Sequence, residues 1–139
     1  MKNLILILTV ILTTSCQQND SNELKEQTIV GTWKLTESKV EGGSPNTDWT
    51  PVAYSYQIQF LEDGTFTSNK YDACEDGTYS ISSTDNTILI SYACPDFSVQ
   101  GVSDDGDFLE RYSFKDGYLV FSPTYMSCDE GCAFRFKRI

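Results

Sequence analysis

The stretch VAYSYQIQFL at residues 52–61 alternates apolar and polar side chains along its length. Tyr54, Tyr56, Ile58 and Phe60 would share one face of a strand, with serine and glutamine facing the other way. This period of two predicts a half-buried β-strand. The letters EDG follow directly, and such a short glycine-containing turn predicts a hairpin with the next segment.

The same rhythm of short strands and turns continues along the chain, and no segment shows sustained helical periodicity. The predicted strands are residues 29–40, 52–61, 65–71, 77–82, 87–93, 108–114, 118–123 and 133–139. Eight strands in consecutive hairpins can close into an all-β, up-and-down antiparallel barrel, which removes both exposed sheet edges. An open sheet or a β-sandwich is the alternative.

The first 15 residues have the features of a secretory signal. Lys2 precedes an apolar run at residues 4–12, and small residues lead up to Cys16. The run is too short to cross a bilayer core, which takes about 20 residues. The pattern resembles a bacterial lipobox, with Thr13 where an aliphatic residue is usual. That resemblance implies a lipidated Cys16 and an exported protein anchored in the cell envelope, with the outer membrane as the expected site and the cell surface as a further option.

Three segments follow from this division of the chain. Residues 1–15 form the signal peptide, residues 16–28 the lipidated cysteine with a flexible polar tether, and residues 29–139 the barrel domain. The domain is expected to be monomeric.

Charge and composition disfavour several classes of function. The chain has 10 Lys+Arg against 20 Asp+Glu and no histidine, a net charge of −10. Acidic chains repel nucleic acid, and the absence of histidine disfavours zinc hydrolases and acyl-transfer triads. Carboxylates cluster in predicted turns, such as the DDGD at residues 104–107, which lacks the ligand spacing of a calcium loop. We therefore predict no enzyme, no cofactor and no metal site.

The cysteines beyond Cys16 indicate disulfides. Cys74, Cys94, Cys128 and Cys132 form an even set in an exported chain, which predicts two bonds with three possible connectivities. A metal site is the alternative, but the spacing from Cys128 to Cys132 lacks the paired motif of zinc ribbons.

Two short motifs resemble the lipocalin-like lipoproteins of bacteria. The letters GTW at residues 31–33 open the first predicted strand, and FRFKR at residues 134–138 lies in the last. The resemblance implies a lipocalin-like barrel in which Gly31 and Trp33 mark the closed end. A basic residue of the last strand would pack over Trp33. Arg138 is the predicted partner and Arg135 the alternative.

Loop lengths separate the two ends of such a barrel. Three short turns would lie at the closed end, and the four longer connections, which carry all four cysteines, at the mouth. A hairpin centred near residues 84–85 puts Cys74 almost opposite Cys94, whereas Cys128 and Cys132 flank a three-residue turn. We therefore predict the pairs Cys74–Cys94 and Cys128–Cys132.

The aromatic residues lead to two hypotheses about function. The first is a barrel that binds a small hydrophobic or amphipathic ligand at its mouth, because tyrosine combines an apolar ring with a hydroxyl. The second is an envelope module with a filled barrel that binds another protein. The candidate ligand-binding residues are Trp49, Tyr54, Tyr56, Tyr71, Tyr92, Tyr112 and Tyr125.

Overall fold

The computed structural model describes residues 28–40, 48–126 and 131–139, and these consist of strands and loops. In that part of the chain, no helix has the length and apolar character needed to cross a membrane. The described strands are β1 (Gly31–Val40), β2 (Thr50–Pro51), β3 (Gln57–Phe60), β4 (Thr65–Ser68), β5 (Asp76–Ser82), β6 (Thr87–Tyr92), β7 (Asp107–Lys115), β8 (Tyr118–Pro123) and β9 (Cys132–Arg138).

The sheet closes on itself. From β3 to β9 each strand pairs antiparallel with the next, and β1 pairs with both β3 and β9. The two-residue β2 lies beside the second half of β1, opposite Glu37 and Ser38. The predicted eight-stranded antiparallel barrel is therefore confirmed, with β2 as a short addition. Closure leaves no long edge for another chain to extend.

The second predicted strand is wrong in its first half, because β3 begins only at Gln57. The pairing of β1 with β9 shifts register between Leu35 and Glu37. At that point the Val52 N–H donates to the Thr36 carbonyl at 3.1 Å, and the Ser55 hydroxyl donates to the Leu35 carbonyl. A loop thus satisfies the β1 carbonyls. Residues 52–56 therefore form no regular strand, although their apolar and polar side chains alternate.

Aromatic and aliphatic side chains fill the barrel from the closed end upward. Along β8 and β9 the inward positions are Leu119, Phe121 and Phe136, each at most 3% exposed. Phe60 and Phe66 from β3 and β4 pack 6.3 Å apart between ring centroids. Side chains of this size leave little free volume inside an eight-stranded barrel.

Trp33 closes one end of the barrel. Its indole is 2% exposed, and Nε1 donates to the Ile29 carbonyl at 2.7 Å. The Arg138 guanidinium lies 4.3 Å from the centre of the indole and donates to the carbonyls of Val30 and Thr28. The stacking partner is therefore Arg138 rather than Arg135.

Gly31 makes this stacking possible. Its φ of +134° is one that L side chains rarely adopt, and a Cβ there would overlap the Arg138 guanidinium. In the GTW motif, the tryptophan thus provides the ring on which Arg138 stacks, and the glycine leaves room for the guanidinium.

A disulfide between Cys74 and Cys94 links two segments at the mouth of the barrel. Cys74, before β5, is bonded to Cys94, after β6, as predicted. The Cys74 N–H also donates to the Tyr71 carbonyl at 3.1 Å, so the bond holds the segment between β4 and β5. Cys132 is disulfide-bonded as well, but Cys128 of the predicted Cys128–Cys132 pair lies outside the described residues.

Replacing Cys74 and Cys94 together with alanine is expected to lower the free energy of unfolding by at least about 2 kcal/mol. The bond joins residues 20 apart, so its loss enlarges the unfolded ensemble. Urea unfolding of the variant and the parent gives the difference. Peptide mapping without reductant is the companion measurement, and a Cys74 peptide linked to any cysteine other than Cys94 would contradict the assignment.

Candidate functional site

The mouth half of the barrel holds two charged side chains among aromatic rings. Glu110 points inward from β7 and is 6% exposed, and Lys70 is half-buried just after β4. We call this region the mouth chamber. Its members are Tyr56, Lys70, Tyr71, Tyr92, Phe108, Glu110 and Tyr125.

A bend after β4 turns Lys70 and Tyr71 toward the chamber. The strand stops at Ser68, whose hydroxyl oxygen accepts from the Lys70 N–H at 3.2 Å. The Asn69 side-chain oxygen accepts from the Gln57 N–H at 2.6 Å, which ties the bend to β3. Serine and asparagine favour such bends because their short side chains bond nearby backbone groups. The third predicted strand therefore ends three residues early.

The Lys70 ammonium lies over three aromatic rings. Nζ is 5.5 Å from the ring centroid of Tyr56, 5.0 Å from that of Tyr71 and 5.3 Å from that of Phe108. Each distance is within the range of a cation–π attraction. Burial lowers the pKa of Lys70, and the Glu110 carboxylate partly offsets this shift.

Glu110 is a buried carboxylate with one oxygen left over. The Tyr125 hydroxyl donates to Oε1 at 2.5 Å, whereas Oε2 is buried without a hydrogen-bond partner. Burial raises the pKa of Glu110 to about 7, and the Tyr125 hydrogen bond and Lys70 oppose that rise. A buried polar atom without a partner is uncommon in native proteins.

The chamber tyrosines keep their protons at neutral pH. Burial raises the pKa of Tyr71 to about 12. It is also the main cause of the raised pKa values of Tyr56, Tyr92 and Tyr125. Glu110 adds to the rise for Tyr71 and Tyr125. Their hydroxyls are thus neutral donors and acceptors beside one acid and one amine.

The chamber is nearly full in this conformation. The free space between Lys70 and the surrounding rings is about 20 Å³, bordered also by Ile58 and Ile90. That volume is sufficient for about one water molecule. Any larger guest requires a chamber side chain to move.

Four of the predicted ligand-binding residues line the chamber: Tyr56, Tyr71, Tyr92 and Tyr125. Tyr112 also faces inward, but toward the closed end, where its ring centroid is 6.2 Å from that of Phe114. Tyr54 is 91% exposed, so its assignment to a pocket is corrected. It lies two residues before Tyr56, in the loop that precedes β3, where the inward alternation of β3 and Tyr56 no longer continues.

Trp49 lies on the outer wall of the barrel, which corrects its assignment to the ligand-binding residues. The Arg135 guanidinium lies 4.0 Å from the Trp49 ring centroid and 5.1 Å from that of Tyr118. Arg135 faces outward because its neighbour Phe136 is buried in the core. An ion pair to Glu37 at 3.4 Å completes the contact.

Sequence reasoning missed the two charged members of the chamber. The expectation that carboxylates occupy turns is wrong for Glu110, which shares the inward phase of Phe108 in β7. Lys70 lies four residues after Phe66, which is buried in β4, so an alternation with a period of two gives both side chains the same inward phase. In both cases a charge at an inward position was the available signal.

A second concavity lies on the outer wall. This outer groove has a volume of about 450 Å³ and is lined by polar side chains, which are Thr32, Gln57, Gln59, Thr67, Ser68, Asn69, Glu75 and Asp76. In the described ranges no group of three or more His, Cys, Asp or Glu side chains could hold a metal ion. Within the DDGD segment, Asp105 instead accepts from the Ser103 hydroxyl and the Asp107 N–H.

A closed antiparallel meander, plugged by a tryptophan at one end and bearing a polar aromatic chamber at the other, defines a small calyx-type barrel. The sequence pattern of the lipocalin-like domain matches residues 29–121, and the chain belongs to that family.

Comparison of structures agrees at the level of the fold. A DUF4847 family protein from Bacteroides vulgatus ATCC 8482 aligns over 81% of this chain and 95% of its own, with a TM-score of 0.52 and 15% identity. Among curated proteins, none matches the sequence significantly.

Proposed function

We propose that this chain is a lipid-anchored envelope protein whose barrel binds a small amphipathic ligand in the mouth chamber. The observation that carries the proposal is the buried carboxylate of Glu110 beside the half-buried ammonium of Lys70 among aromatic rings, with Glu110 Oε2 unpartnered. Perturbed ionisable groups inside an aromatic-walled site are typical of binding sites. The proposed role is binding without catalysis.

The energetics of the pair support a binding role over a packing role. A leucine in place of Glu110 and a methionine in place of Lys70 would fill similar space without desolvating charge. Even where buried charges form an ion pair, such a replacement is often neutral or stabilising, by about 1–4 kcal/mol, and among the described residues Glu110 lacks a direct ion-pair contact that would offset its desolvation. The pair therefore costs stability at a position that faces the mouth, which favours an interaction with a guest.

The anchor is proposed from the sequence of the leader. Residues 1–15 would be removed and Cys16 lipidated, and the segment up to residue 28 would link the membrane to a monomeric barrel. Growth with an alkyne-tagged palmitate is expected to label the parent and leave Cys16→Ser unlabelled. Protease treatment of intact cells then distinguishes a barrel displayed outside the outer membrane from one facing the periplasm.

The filled interior favours a second candidate function. A barrel with about 20 Å³ of free space and a groove of about 450 Å³ on its wall fits a module that binds another envelope protein. The two candidates differ in where a small amphiphile perturbs the molecule.

Binding at the mouth chamber is expected to move the amide signals of Lys70, Tyr71 and Glu110 in ¹⁵N NMR spectra. The sample is the mature chain carrying Cys16→Ser. It is titrated with laurate or dodecyltrimethylammonium below their micelle concentrations, or with dodecanol below its solubility limit. NMR is preferred to tryptophan fluorescence because Trp33 lies at the closed end and Trp49 on the outer wall.

The matched control is Lys70→Met with Glu110→Leu, which removes both charges and keeps similar bulk. It is expected to lose the response to charged amphiphiles. If none of the three amphiphiles moves the chamber signals, ligand binding in the barrel is contradicted and the interaction module takes its place.

A further inference from the structure

Lys70 occupies a site that has the composition of a receptor for an ammonium group. Rings of Tyr56, Tyr71 and Phe108 surround its Nζ at 5.0–5.5 Å. Aromatic cages of this kind bind quaternary ammonium groups through the negative faces of the rings. The three rings come from separate segments, before β3, after β4 and on β7, so the cage is an element of the tertiary fold.

A carboxylate completes the receptor. Glu110 is 6% exposed, and its Oε2 has no hydrogen-bond partner. The Tyr125 hydroxyl fixes the other oxygen at 2.5 Å. A quaternary ammonium needs no hydrogen bond, so it can neutralise this carboxylate without leaving a donor of its own unsatisfied.

The Lys70 side chain can move out of the cage. Its ammonium is carried on a flexible four-carbon stem, and the residue is half-buried in the mouth segment between β4 and β5. Because only about 20 Å³ is free beside it, a guest requires a chamber side chain to move, and the flexible, half-buried lysine is the one best able to do so. The acidic chain, with a net charge of −10, attracts cations.

We propose that the mouth chamber binds the ammonium head of an organic cation, and that the guest displaces the Lys70 ammonium from the cage of Tyr56, Tyr71 and Phe108. The inference rests on the proposed function and names the chemical class of its ligand. The Lys70 ammonium then competes with the ligand for the cage and occupies it when no ligand is bound.

The test compares choline with 3,3-dimethylbutan-1-ol, which has the same shape with carbon in place of the charged nitrogen. Both are titrated by ¹⁵N NMR into the mature chain with Cys16→Ser. Choline is expected to bind at least about tenfold more tightly, because only the cation gains from the ring faces and the carboxylate.

Substitutions at Lys70 and Glu110 make the test specific. Lys70→Ala is expected to strengthen choline binding about tenfold, because the cage is then open in every molecule. Lys70→Met, which keeps similar bulk but removes the competing charge, serves if the alanine variant folds poorly, and a smaller gain in choline affinity is expected from it. Adding Glu110→Gln to either is expected to reverse the gain. Lys34→Ala is the matched control, since Lys34 is exposed on the outer face of β1.

The outcomes separate the inference from the proposed function. Equal binding of choline and its neutral isostere, or weaker choline binding in Lys70→Ala, overturns the ammonium site. In that case a response of the chamber to laurate or dodecanol would still support amphiphile binding. Choline signals that move only near the outer groove would also overturn the inference.

Discussion

Replacing Trp33 with alanine is expected to lower the free energy of unfolding by about 4 kcal/mol, the typical cost of emptying a buried indole site. The side chain is 2% exposed, its Nε1–H bonds the Ile29 carbonyl, and its face carries the Arg138 guanidinium. Alanine removes all three contacts at once. Domains of this size have stabilities of about 5–15 kcal/mol, so the variant would be marginal. Urea unfolding followed by far-UV circular dichroism measures the change.

The chain supplies its own control in Trp49. That residue is partly exposed on the outer wall and stacks on Arg135, so Trp49→Ala is expected to cost about 1 kcal/mol. Trp33→Phe keeps a ring but loses the hydrogen bond to Ile29, and an intermediate loss is expected. Equal costs for the two alanine variants would refute the assignment of Trp33 as the plug of the closed end.

Replacing Glu110 with glutamine is expected to stabilise the protein at pH 8 by about 3 kcal/mol while changing little at pH 4. Burial raises the pKa of the folded carboxyl to about 7 from an ordinary value of 4.5. Each unit of such a shift corresponds to about 1.4 kcal/mol. Between these two pKa values the folded state binds more protons than the unfolded state, so stability falls as pH rises.

Glutamine keeps the shape and can still accept from the Tyr125 hydroxyl, but it never ionises. The difference in unfolding free energy between Glu110→Gln and the parent should therefore open between pH 4.5 and 7 and stay constant above. Glu75→Gln, which changes an exposed carboxylate at the mouth, is the matched control for the substitution itself. A constant difference between Glu110→Gln and the parent from pH 4 to 8 would show that the buried carboxyl titrates normally.

The barrel could be predicted from the sequence because its strands are marked by local patterns. Alternation along β3 and the glycine turn after it set the phase of Ile58 and Phe60, which are buried as that phase requires. Hairpins also bring neighbours in sequence together in space. The Cys74–Cys94 pair followed from this reasoning, since both residues flank the same hairpin.

The chamber was only half predictable. Tyr56, Tyr71, Tyr92 and Tyr125 were candidates because of their residue type, whereas Lys70 and Glu110 were not, because charged residues are normally exposed. Trp49 and Tyr54 failed as candidates for the opposite reason. Their aromatic character fitted a pocket, but contacts with β1 and β9 hold that segment outside the barrel.

The sequence by itself determined the order of the strands in consecutive hairpins and the pairing of Cys74 with Cys94, because both depend on periodicity or on neighbours along the chain. It left an open sheet or a sandwich as the alternative to a closed barrel, and the role of Trp33 at the closed end was implied by the resemblance to lipocalin-like lipoproteins. Only the tertiary structure decided that Lys70 lies in a cage of Tyr56, Tyr71 and Phe108 beside Glu110. Those residues come from segments far apart in sequence. Lys70 and Glu110 influence each other's pKa because closure of the barrel brings them together and shields them from water. No local sequence pattern encodes that shielding.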